Sequence, residues 1–106
     1  MDEKDIISLG YKPDVTALPD GIRAALQQKT ADKIKELDGP RIEILAYASA
    51  TDDNPTSARR ISLARALELR DFLVASGVDA QRINLRPLGD TTQSEPQDRA
   101  DLRFIR

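Results

Sequence analysis

The chain has 106 residues, 40% hydrophobic and 32% charged, with a formal net charge of −2 and neither cysteine nor histidine. That length supports one domain around one core; no apolar run approaches the roughly 20 residues of a membrane-spanning helix, and the net charge excludes a general binder of nucleic acid or anionic membranes. Without cysteine there are no disulfides, thiolate catalysis or sulfur-bound zinc, and without histidine as well no nucleophile-and-base or paired-carboxylate motif stands out, so no enzyme activity and no cofactor are expected.

The first ten residues, MDEKDIISLG, are acidic and lack the long apolar segment of a signal peptide. Ile6 to Tyr11 (IISLGY) is β-prone, and Lys12 to Leu18 reads as a loop because Pro13 and Asp14 break any regular run. A first helix is predicted from Pro19, with Asp20 in its first turn and Ile22, Ala25, Leu26, Ile34 and Leu37 near one face, up to the stop signal Gly39-Pro40. Arg41 to Ala48 alternates with period two, which predicts a strand with Ile42, Ile44, Ala46 and Ala48 on its core face.

The polar loop ATDDNPTS follows, with Thr56 or Ser57 the expected cap of a second helix that runs to about Ser76 and stops at Gly77. Gln81 to Pro87 holds a short strand, LGDTTQSEPQ is a polar loop, and Arg99 to Ile105 (RADLRFI) alternates again as a last strand. The order β-α-β-α-β-β predicts an α+β fold, a two-layer sandwich with both helices on one face of a mixed sheet of about four strands. Ile44, Ala46, Leu69, Leu73, Ile83 and Leu102 belong in its core, and Tyr11, Tyr47 and Phe104 in core or sheet-face packing.

In the second helix Ser62, Ala66, Leu69 and Leu73 share one face, and Leu63, Leu67 and Val74 widen it sideways into a strip expected to bury against the first helix. Arg65 is placed on the polar side with Glu68 and Phe72 nearby, and forms with Arg59 and Arg60 a local basic spot. Two roles stay open for it: a surface pair with Glu68, or part of a binding site facing the preceding loop. The adjacent Asp52 and Asp53 lack the spaced oxygen ligands of a calcium loop, so no metal is expected.

Ile61-Ser62 with Arg65-Ala66, Gly77-Val78, Arg82-Ile83, Gly89, and Arg99 with Asp101 occur in that order. The series resembles the OmpA-like domain family, whose pattern is an L-S-x-x-R-A helix start, a helix ending in G-V/I, a strand beginning near R-I, a glycine turn and a closing R-x-E/D strand. IISLGYKPDVTALPDGIRAAL is similar to the family's first strand, loop and helix, so the resemblance covers nearly the whole chain.

The resemblance implies non-covalent binding of the diaminopimelate side of peptidoglycan peptides, in the periplasm, by one domain of a longer envelope protein whose membrane attachment lies outside these residues. It implies a ligand site containing Arg65, the match to the family arginine, as a bidentate fork for the ligand's carboxylate. The family aspartate falls on Ser49 and its helix-start asparagine near Ala58, so the site is degenerate and the ammonium would pass to Asp52 and Asp53. The alternative is a protein-interaction or self-association module using Leu63, Leu67 and Val74 as its contact surface.

Overall fold

The alternation between Arg41 and Ala48 becomes the central strand of the sheet. In the computed structural model, which describes residues 5–13, 15–49, 55–90 and 97–105, the elements are β1 (Ile6–Gly10), α1 (Arg23–Leu37), β2 (Arg41–Tyr47), α2 (Pro55–Ala75), β3 (Ile83–Gly89) and β4 (Arg99–Ile105). The four strands lie in the order β1-β4-β2-β3. β4 runs antiparallel to both its neighbours, while β2 and β3 are parallel, so the sheet is mixed.

Register explains which residues are buried. Ile42, Ile44 and Ala46 of β2 stand opposite Phe104, Leu102 and Ala100 of β4, and all six are buried with Leu9 of β1 under Leu26 of α1 and Ala66, Leu69 and Leu73 of α2. The opposite face is polar and tied by charge: Arg103 pairs with Glu43 at 3.2 Å, Ser8 Oγ donates to Asp101 at 2.7 Å, and the Arg99 guanidinium lies 4.6 Å from the Tyr47 ring centre. The expected fold and core are therefore observed, with Ile83 packed on the rim of the core rather than inside it.

Several boundaries differ for local reasons. A short 3-10 turn (Asp20–Ile22) precedes α1, which starts at Arg23 instead of Pro19, and Ala25 is exposed. α1 stops when Asp38 enters the left-handed region at φ 59°, one residue before Gly39, a conformation that Asp tolerates better than most side chains. α2 begins at Pro55, so Thr56 and Ser57 lie inside its first turn and are not its caps; proline's fixed φ and missing N–H suit that first turn. Among the described residues, no helix is long and apolar enough to cross a membrane.

The strip Leu63, Leu67 and Val74 does not bury against α1. Leu63 and Val74 are 41% and 42% exposed, because α1 meets the other flank of α2, where Arg23 pairs with Glu68 at 3.5 Å and lies over Phe72.

Candidate functional site

Antiparallel β4 starts where the parallel strands end. The exits of β1, β2 and β3, the entry of β4 and the first turns of α2 therefore converge at one edge of the sheet. Gly89 makes that convergence close. Its φ of +60° lies in the left-handed region that glycine adopts most readily, and a Cβ there would lie 3.3 Å from the Arg59 backbone nitrogen. Its carbonyl accepts the Ala48 N–H at 2.9 Å, and its own N–H donates to Ser62 Oγ at 3.0 Å, which locks the end of β3 to α2 and to the exit of β2.

Arg65 fills the space beside this lock. Its side chain is fully buried, not on the polar surface, and it pairs with Asp98 at 3.0 Å rather than with Glu68. Nε donates to the Val15 carbonyl at 2.8 Å, one terminal nitrogen donates to the Tyr47 carbonyl at 2.8 Å and to Asp98 Oδ1 at 3.0 Å, and the other donates to the Lys12 carbonyl at 3.1 Å. The guanidinium also lies 4.6 Å from the Tyr11 ring centre. Four of its five N–H groups thus tie the loop after β1, the end of β2 and the entry to β4 together. Such satisfaction is what a buried charge needs, since isolated burial costs several kcal/mol.

Asp98 is the partner that local patterns did not reveal. Ser49 gives it two hydrogen bonds, from the backbone N–H to Oδ1 at 3.0 Å and from Oγ to Oδ2 at 2.8 Å. Its own carbonyl accepts the Tyr11 N–H at 2.9 Å, which fastens the loop after β1 to the entry of β4. Partial burial pushes the Asp98 carboxyl up, but the Ser49 hydrogen bonds and the Arg65 guanidinium outweigh it and hold the group below the ordinary carboxylate value. Burial pushes the Tyr11 phenol up to about 12, against the lowering pull of Arg65.

A cleft of about 700 Å³ opens over this cluster, lined by Tyr11, Lys12, Val15, Leu18, Pro19 and Asp98 among others. Its walls are largely apolar, and Asp98, 13% exposed, supplies a carboxylate to it. Of the residues expected at a site, the structure brings Arg65 and Ser49 together through Asp98. Asp52 and Asp53 lie outside the described residues. The expected asparagine position near Ala58 is a fully buried alanine.

The sequence pattern of the OmpA family matches residues 11–103. The chain belongs to the OmpA family. This OmpA-family domain superposes on the OmpA-like domain of FopA1 from Francisella tularensis subsp. tularensis SCHU S4 with a TM-score of 0.80 at 15% identity, covering 93% of this chain and 73% of that one. It is also similar to the peptidoglycan-associated lipoprotein from Burkholderia pseudomallei, with TM-score 0.73, 24% identity and coverage of 92% and 88%. For the cell wall anchor of the T6SS from Pseudomonas aeruginosa the TM-score is 0.71 at 17% identity, covering 95% and 81%. No curated protein matches the chain in sequence.

Proposed function

We infer that this OmpA-family domain holds peptidoglycan non-covalently, through diaminopimelate-containing peptides that enter the cleft over Asp98, and so tethers or organises the cell envelope from the periplasm. The observation that carries the reading is the Asp98 carboxylate, kept ionised by Ser49 and Arg65 and presented to an apolar cleft at the convergence of the strand ends. Membership of the OmpA family supports it, as do the names of two relatives, a peptidoglycan-associated lipoprotein and a cell wall anchor. The role is binding without catalysis, in a domain attached to the membrane through a segment outside this chain.

Arg65 and Ser49 act in this reading by holding Asp98 and the cleft wall. Asp52 and Asp53 belong to it as further carboxylates for the ligand's ammonium. Co-sedimentation with purified sacculi tests it: the wild-type domain should pellet with them, and Asp98→Asn should remain in the supernatant while keeping its fold. A wild-type domain that stays in the supernatant contradicts the reading. Exposed Leu63 and Val74 on α2 favour a second one, a protein-interaction or self-association module, for which light scattering of the eluting domain should then show a mass above 11.7 kDa.

A further inference from the structure

The geometry points to a cleft that reads the ligand's ammonium through Asp98 and leaves the neighbouring carboxylate unread, so that the ligand class is any stem peptide ending in a primary ammonium, whether or not a carboxylate stands beside it. This inference rests on the peptidoglycan reading and narrows its chemistry.

The anion comes first. Among the described residues, Asp98 Oδ1 accepts two hydrogen bonds, from Ser49 N–H and Arg65, whereas Oδ2 accepts one, from Ser49 Oγ. A carboxylate oxygen accommodates about two such bonds, so Oδ2 keeps one acceptor position for an incoming N–H. The carboxylate cannot turn away to meet water, because both its oxygens are fastened. Tyr11, Val15, Leu18 and Pro19 line the same cleft and offer an apolar track for the methylenes that carry an ammonium.

The cation is where this site parts from a reader of zwitterions. To recognise a carboxylate next to the ammonium, a guanidinium would have to present two parallel N–H groups to it. Arg65 has given four of its five N–H groups to the Val15, Tyr47 and Lys12 carbonyls and to Asp98, and none of its side chain is exposed. Freeing a fork would take that donor from the Val15 and Tyr47 carbonyls and leave the Lys12 carbonyl with the Val15 N–H alone. Among the described residues that line the cleft, the other cation is Lys12, whose exposed ammonium is solvated and adds little to the recognition of a carboxylate.

Calorimetric titration of the wild-type domain with four tripeptides decides this: one ending in meso-diaminopimelate, one in the same residue with its side-chain carboxylate amidated, one in lysine and one in N-acetyl-lysine. The first three should bind within about threefold of one another. The acetylated peptide, which has no ammonium, should lose about tenfold or more, and Asp98→Asn should lose as much on the first three. A loss beyond threefold on amidation or with lysine would overturn the inference while leaving the peptidoglycan reading intact. Undiminished binding of the acetylated peptide would overturn it as well, and a wild type that binds none of the four overturns both. The comparison among ligands uses one unaltered protein, so it stands even if Asp98→Asn folds poorly.

Discussion

The two flanks of α2 exchange the roles that their side chains suggest. On one flank lies an arginine, the residue type most at home in water, with its side chain wholly enclosed; on the other lie Leu63 and Val74, apolar and 41% and 42% exposed. What separates them is the neighbour each flank meets. The arginine flank faces α1, the loop after β1, the end of β2 and the entry to β4, and from these last three come the three backbone carbonyls and the carboxylate that accept from it. Hydropathy along one helix orders residues by their own preference, whereas burial is decided by elements that come from far along the chain.

Replacing the charged residue should therefore hurt the fold more than replacing the apolar ones. Arg65→Ala is expected to cost about 3 to 5 kcal/mol in chemical denaturation, since it opens a cavity, removes one donor from each of three carbonyls and leaves Asp98 without its cation. A loss below about 1 kcal/mol would mean that the enclosure of Arg65 carries no stability. Leu69→Ala, on the shared core face between the flanks, should cost about 2 to 5 kcal/mol through lost burial and cavity formation.

Asp98→Asn is expected to be milder, about 1 to 3 kcal/mol, because an amide oxygen still accepts from Ser49 and Arg65 but without the charge. It also carries a pH signature. The folded-state value of Asp98 lies below its unfolded value near 4, so its contribution is complete above that pH and is lost as pH falls through the depressed folded value. Acid unfolding below about pH 4 should therefore be less steep in Asp98→Asn than in the wild type, measured by circular dichroism. Smallest of all, Leu63→Ser and Val74→Ser should each stay within about 0.5 kcal/mol of the wild type.

Much of the fold was legible because it rests on short periods. β2 and β4 were read from alternation, α2 from its buried face and Gly77, and the sheet's composition from the order of elements. The site was legible only in part. Arg65 was singled out by its place in the helix start, but its burial depends on Lys12, Val15 and Asp98, which lie 53, 50 and 33 positions away. Asp98 gives no local signal beyond being an acid at the foot of the closing strand. A topological argument could have found it, since an antiparallel β4 must begin at the edge where β1 and β2 end, beside the Ser49 position.

In the proposed function the cleft over Asp98, and not the apolar flank of α2, receives the ligand. Titrating the isotopically labelled wild-type domain with a diaminopimelate tripeptide while recording backbone amide shifts compares the two regions in one experiment. The largest changes are expected at Ser49, whose N–H donates to Asp98, and at Tyr11, Lys12 and Val15 around the cleft, with Leu63 and Val74 unmoved. Changes concentrated on Leu63 and Val74, with Ser49 and Lys12 silent, would contradict it.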